Sequence, residues 1–374
     1  GGSICHINNG ELEVGPASAG SEPGPICYGR GGVKPTITDA LLMLGILCAE
    51  SEFAGGSFAL RRAGVEAAFS EIGKQMGYSA QEAAFDCWRI VNANMSEGVR
   101  RITAGKGVDP RDMCMLAYGG NGPAFAAIQA EDLGIDKVLV PKASPAFSAL
   151  GTLVADPSID EERSYLAPAD SIDLHRLTAL WDDLATRAAK YFADARFSVD
   201  QVTARYQMNM RYPGQNWALS FDINVSQGLG DLSFVHDSIG QKAVEMFNKR
   251  HMEEYGHIRE HEVPEVTGVR LATSVKTASP MVTCGFTAPS VTARVAKTRR
   301  ANLGDGYKET NIFLATDLAP GHAVPGPAII EETFTTIVVY PGWRAVVDDA
   351  GDYELTRHQR VSAAGIGPES GSRD

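Results

Sequence analysis

Two stretches of this chain combine residue types and spacings that can do chemistry. The first, VGPASAGSEPGPICYGRGG at 14–32, packs glycine and proline around Glu22, Cys27, Tyr28 and Arg30. Flexible linkers are Gly/Ser-rich without aromatics, and proline spacers lack this density of glycine. The stretch therefore reads as an ordered loop, whose glycines let backbone approach backbone or ligand while Pro16, Pro23 and Pro25 fix φ between them. The second, LAYGGNGPAFAA at 116–127, sets Gly119, Gly120, Asn121 and Gly122 before Pro123 and an alanine-rich run. A glycine loop opening a helix presents backbone N–H groups to an anion, or lets a base and ribose lie flat on the backbone; a tight strand-to-helix turn has the same composition. Its spacing is neither GxGxxG nor GxxxxGK[ST], so neither a Rossmann fold nor a P-loop is licensed.

Other candidates carry less. Asp39 falls in the first turn of a helix expected within 34–47, with Thr38 as its N-cap; there it either complements the helix dipole or faces a ligand. In HMEEYGHIREH at 251–261, the intervening glycine and the surrounding charges read as a solvated surface rather than a metal site, and no metal is assigned. Ser3, Ser18 and Ser148 lack GxSxG context. Cys27 is loop-borne near Arg30, but a buried, inert thiol is the commoner case.

These residues need elements to position them. Residues 113–141 run apolar strand, glycine loop, helix, apolar strand, which is a βαβ unit with parallel strands and a ligand position at their carboxyl ends. A helix is expected over 57–77. Another opens at the capping box Ser79-x-x-Glu82, with Ala84, Cys87, Trp88, Val91, Met95, Val99 and Ile102 forming one core-facing stripe. Residues 170–197 and 235–256 read as helices, the latter with Met246 and Phe247 inward, and 204–223 as a strand pair or a bulged strand about Pro213-Gly214. From 263 onward, runs rich in Thr, Val and Ile predict a small barrel or sandwich.

With 374 residues and 44% hydrophobic content, the chain is globular and long enough for two or three domains of about 100–200 residues. A net charge of −12 argues against nucleic acid and anionic membrane surfaces, which attract basic patches. No apolar run approaches membrane-spanning length. Six cysteines without CxxC spacing suggest free thiols in a reducing compartment, the cytoplasm.

The compound pattern GGSI, VGPASAGSEPGPICYGRGG, PTITDA, LAYGGNGPAFAA, SPAFSALG, MRYPGQNW and PGPAIIEE closely resembles the hydantoinase A/oxoprolinase family over almost the whole chain. The resemblance implies an α/β fold with part of an actin-like (ribonuclease H-like) ATPase lobe over 1–160; composition and strand pattern add a mixed α/β segment over 161–262, a β-rich C-terminal domain over 263–360 and a disordered tail over 361–374. The resemblance also implies ATP with Mg²⁺ (or Mn²⁺), adenosine on Gly119, Gly120, Asn121 and Gly122, and a loop that turns Arg30 toward a phosphate or carboxylate and Asp39 toward a metal-bound water or substrate. The family's phosphate-binding Asp-x-Gly-Gly-Thr is nowhere in this sequence. The expected partners are therefore a chain or segment carrying that N-terminal ATPase lobe and a hydantoinase B-like subunit. Relatives of this kind phosphorylate a ketone (as an enol phosphate) or bicarbonate for carboxylation, or activate a lactam such as a hydantoin or 5-oxoproline for hydrolysis. The wording here is nearer the ketone carboxylases, with the lactam hydrolases as alternative; a non-catalytic actin-like scaffold subunit is the reading of a different class.

Overall fold

The computed structural model describes residues 2–51, 56, 58–277 and 291–357. In chain order these form β1 (Ser3–Asn8), β2 (Glu11–Ser18), α1 (Ile37–Met43), α2 (Val65–Met76), α3 (Ala80–Gly105), β3 (Met115–Leu116), α4 (Gly122–Leu133), β4 (Lys137–Val140) and α5 (Phe147–Val154). Next come β5 (Ser158–Pro168), α6 (Leu174–Asp194), β6 (Val202–Arg211), β7 (Leu219–Gln227), α7 (Ile239–Tyr255) and β8 (Glu265–Val275). The chain continues with β9 (Val291–Thr292), β10 (Lys297–Asn302), β11 (Tyr307–Leu314), β12 (His322–Pro325), β13 (Ala328–Glu331), β14 (Thr336–Val339), β15 (Trp343–Val347) and β16 (Tyr353–Arg357). No helix among the described residues is long and apolar enough to cross a membrane.

The contacts divide the chain into one compact unit within 1–150 and 281–374 and a second within 151–280. This differs from three consecutive parts split at 160 and 262. Strand β8, expected to open a C-terminal β domain, lies instead between β5 and β6 in a sheet of order β5-β8-β6-β7. The later strands return to the first unit: β16 pairs antiparallel with β4, extending the parallel β3–β4 pair into a sheet of order β3-β4-β16-β15-β12-β9. A second sheet there has the order β10-β11-β13-β14. The physical reason is edge satisfaction, since β16 takes up the ladder hydrogen bonds that β4 would otherwise leave open. The expected tail at 361–374 lies outside the described residues.

The βαβ expectation for 113–141 holds, with β3 and β4 parallel around α4. Helix α3 begins at the expected capping box: Ser79 N and Oγ both donate to Glu82 Oε2, and Ser79 Oγ accepts from Glu82 N. Its apolar stripe fails at the C-terminal end, where Ile102 is 61% exposed, and the polar Asn92 and Ser96 are buried instead. Helix α2 starts only at Val65, later than expected, because Gly64 precedes it in a left-handed conformation. The start expected at residue 57 falls outside the described residues.

In the second unit the buried face of α6, with Leu177, Trp181, Leu184, Ala188 and Phe192, repeats every three to four residues and covers one face of the four-stranded sheet. The leucines and Phe192 among them each contribute roughly 1.5–3 kcal/mol on burial. His251 corrects the surface reading of 251–261, being fully buried against Tyr212 and Phe247. Its Nδ1 lies 2.6 Å from the His257 carbonyl and its Nε2 3.0 Å from Gln215 Nε2. A carbonyl can only accept and an amide nitrogen only donate, so the imidazole is neutral with its proton on Nδ1. His257 and His261 are exposed.

One ion pair ties distant parts of the first unit together. Arg299 donates to Glu331 at 2.6 Å and to the carbonyls of Gly45 and Ile46 just beyond α1. Ser51 and Lys297 also engage Glu331, and both members of the Arg299–Glu331 pair are only 12% exposed. Burial pushes the Glu331 carboxyl up, but the Ser51 hydroxyl, Arg299 and Lys297 outweigh it and hold the group below its ordinary value. A carboxyl lowered on folding adds stability above its unfolded pKa of about 4.3, and that stability disappears as pH falls through the lower folded value. Denaturant titrations from neutral pH to acid should therefore show Glu331→Gln less stable at pH 7 by about 1–3 kcal/mol, with the deficit shrinking once the wild-type carboxyl is protonated. A deficit that is constant across this range would count against the pair.

Candidate functional site

Helix α1 is set by Thr36, not the expected Thr38. Thr36 is extended and caps the helix, while Asp39 at the third helical position reaches back to close a capping box. The same carboxylate reaches further. Asp39 Oδ2 accepts from Thr36 N at 2.9 Å, Thr36 Oγ1 at 2.8 Å and Ile26 N at 3.2 Å, and its Oδ1 accepts from Cys27 N at 2.7 Å. Asp39 is 0% exposed, so its oxygens face inward onto the glycine–proline loop. Two backbone groups of the loop and one at the helix start converge on one anion, which draws 14–32 into a fixed shape. Gly32 closes the fold of that loop: a Cβ there would lie 2.2 Å from the Gly24 carbonyl oxygen, so only glycine permits this approach.

The loop carries Tyr28 and Arg30 outward. Tyr28 meets Phe58 edge-on at 5.0 Å between ring centroids, and the exposed Arg30 guanidinium lies 5.3 Å from the centre of the same Phe58 ring. Burial raises the Tyr28 hydroxyl above its ordinary pKa; Cys27 and Asp39 add to this, and Arg30 opposes it. Cys27 is fully buried, and burial together with the Asp39 carboxylate pushes its thiol up, so it stays protonated.

The glycine loop lies across a small pocket from Tyr28. Gly119 has φ +88°; its N–H donates to the Ser144 carbonyl at 2.7 Å, and its carbonyl accepts from Ser144 Oγ. Asn121 Nδ2 donates to Thr38 Oγ1 at 3.4 Å, and the Gly120 carbonyl accepts from Thr335 Oγ1 at 2.8 Å. Tyr28, Thr38, Phe58, Gly120, Asn121 and Thr335 are among the residues that line this pocket of about 190 Å³. None of its described lining residues is charged. Over the loop itself the space is open: outside its own neighbours, nothing comes within 4 Å of where a Cβ would sit at Gly119 or Gly122, and only the Phe334 carbonyl, at 3.9 Å, does so at Gly120. The exposed rings of Tyr118 and Phe334 belong to residues beside it.

Of the residues singled out in the sequence, Gly120 and Asn121 line the pocket, Gly119 and Gly122 frame its loop, Arg30 lies behind Phe58, and Asp39 supports the structure from within. The sequence reading missed Tyr28, Thr38, Phe58 and the Thr333–Thr336 turn as lining. Thr38 and Tyr28 stood inside flagged motifs, whereas nothing local to 333–336 signals a role. Among the described residues no group of three or more His, Cys, Asp or Glu is arranged to hold a metal ion.

Asp39→Ala would leave three backbone donors and a hydroxyl without their acceptor, and should cost at least about 3 kcal/mol in urea unfolding, with Asp39→Asn intermediate. A cost no larger than that of an ordinary surface substitution would show that the loop does not depend on it. In the folded chain a bulky thiol reagent should modify the exposed Cys114 well before the buried Cys27; mass mapping of the labelled peptides checks the order.

Residues 1–161 match the hydantoinase/oxoprolinase family model, and residues 169–357 match the hydantoinase/oxoprolinase C-terminal domain. The chain is 32% identical to caprolactamase subunit alpha of Pseudomonas jessenii over 95% of this chain and 51% of that protein. The crystal structure of the ATP-dependent caprolactamase from that organism matches with a TM-score of 0.72, at 31% identity, over 96% of this chain and 52% of that one. Identity to the acetophenone carboxylase gamma subunit of Aromatoleum aromaticum is 30%, covering 94% of this chain and 49% of that protein. A nucleotide-free structure of acetone carboxylase, an enzyme of ATP-dependent acetone carboxylation, matches with a TM-score of 0.74 at 25% identity, over 95% of this chain and 51% of that one. The chain thus spans about half the length of these relatives. Its mixed α/β structure is of the actin-like ATPase type seen in these solved neighbours. On the two family models, which between them cover almost all the described residues, the chain belongs to the hydantoinase/oxoprolinase family.

Proposed function

We propose that this chain is a subunit of an ATP-dependent enzyme that activates the carbonyl group of a small neutral compound, with carboxylation of a ketone by bicarbonate as the first reading. The observation that carries it is the uncharged pocket joining the glycine loop to Tyr28 and Thr38. The residues present fit the nucleoside end of ATP, since an open glycine backbone beside Asn121 and flanking aromatics suits a planar base and ribose. ATP, when bound, supplies the phosphoryl group that activates the carbonyl oxygen. In this reading Gly119, Gly120, Asn121 and Gly122 hold the adenosine, and the exposed Arg30, whose guanidinium lies against the Phe58 ring, offers a partner to a phosphate or carboxylate. Asp39 is a positioning residue, its oxygens being occupied by the loop. The phosphate clamp and the ligands of Mg²⁺ (or Mn²⁺) come from the segment or chain bearing Asp-x-Gly-Gly-Thr, and a hydantoinase B-like subunit completes the reaction, in the cytoplasm. The likeness to a caprolactamase subunit favours a second reading, lactam hydrolysis on the same framework.

The test is ATP turnover by the complex isolated with this chain from its source. Stimulation by acetone or acetophenone that depends on bicarbonate supports carboxylation. Stimulation by caprolactam or 5-oxoproline without bicarbonate replaces it with the hydrolase, and no ATP turnover at all leaves a scaffold subunit. In the active complex, Asn121→Ala should raise KM for ATP about tenfold with a smaller effect on kcat; an unchanged KM would remove Asn121 from the nucleotide site.

A further inference from the structure

A second cleft, of about 960 Å³, runs along α3 between the β1–β2 turn and the end of α4. Its wall explains why the apolar stripe of α3 is interrupted. Asn92 is 9% exposed and Ser96 1%, one turn apart on the same face. Asn92 Nδ2 donates to the Trp88 carbonyl at 2.8 Å, but neither Asn92 Oδ1 nor Ser96 Oγ has a hydrogen-bond partner among the described residues. Buried polar atoms in native proteins are almost always paired, and an amide oxygen can only accept. The group that satisfies Asn92 Oδ1 must therefore bring a donor.

The rest of the cleft specifies that donor's charge. Phe85 and Trp88 stack at 5.5 Å between centroids and 18° between planes, and Tyr78 stands half-exposed beside them. Ring faces attract cations. Four carboxylates, Glu11, Asp86, Glu131 and Asp132, line the cleft against one arginine, Arg89. Asp86 pairs with Arg89, Glu131 with Arg357 and Asp132 with Arg100, whereas Glu11 has no ion partner among the described residues. The residual charge is negative. We propose that this cleft binds an organic ammonium ion with an apolar body and at least one N–H, the N–H directed to Asn92 and Ser96 and the apolar body against Phe85 and Trp88.

Calorimetric titration of the complete chain at low salt with benzylammonium, benzyltrimethylammonium and benzyl alcohol tests this. Benzylammonium should bind saturably, and the quaternary ion, which has no N–H, and the neutral alcohol should each bind about tenfold more weakly. Asn92→Leu should weaken benzylammonium about tenfold, and Ser96→Ala or Glu11→Gln about threefold. Should Asn92→Leu fail to fold by circular dichroism, the other two variants, which disturb little packing, carry the test. The proposal is overturned by absence of saturable binding at millimolar benzylammonium, by equal binding of the three probes, or by affinity unchanged in Ser96→Ala and Glu11→Gln. An Asn92→Leu chain that folds more stably and binds no less tightly would mean that the two oxygens serve enclosed water only.

Discussion

The candidate site rests on one buried carboxylate. Asp39 is satisfied by hydrogen bonds from three backbone N–H groups and a hydroxyl rather than by a cation, an arrangement that supports a buried anion at tolerable cost. Because two of those donors, 13 and 12 positions before Asp39, lie in the glycine–proline loop and the others at the start of α1, the carboxylate is a joint between two segments of the chain. With that joint made, Thr38 is held in the first turn of α1, where its hydroxyl meets Asn121. A helix cap, normally a local device worth about 1 kcal/mol, thus organises one wall of the candidate pocket.

The opposite wall comes from the far end of the sequence. Thr335 anchors the Gly120 carbonyl, and the Tyr340 hydroxyl donates to the Ala124 carbonyl on α4, so the β13–β14 region grips the helix whose N-terminus carries the glycine loop. Completion of the β3–β4 pair by β16 holds that region in the same compact unit. The late strands that resemble an appended β domain are therefore structural parts of the site.

Much of the molecule was legible residue by residue. The capping box at Ser79, the helix and strand periods and the glycine loop arise from interactions within a few positions of one another, and the parallel strands around α4 follow from the order of those local patterns along the chain. The family motifs were equally plain, and with them the actin-like ATPase class. Short-range pattern misplaced one cap: Thr38 was expected to cap α1, but Thr36 does so, and from that helix start Asp39 also reaches Ile26 and Cys27.

What local pattern could not express was which polar groups would be taken inside and by what. His251 lies in a stretch of charges yet is buried, because Gln215 and the His257 carbonyl satisfy both ring nitrogens. Asn92 and Ser96 occupy the inward face of α3 while Ile102 is left outside, because the neighbouring elements cover only the first part of that helix. Thr335 reaches Gly120 across 215 positions. Composition, periodicity and caps are properties of contiguous residues and are written in their order. Burial of a polar side chain is favourable only when a specific distant partner arrives, so its fate is settled by the assembled fold.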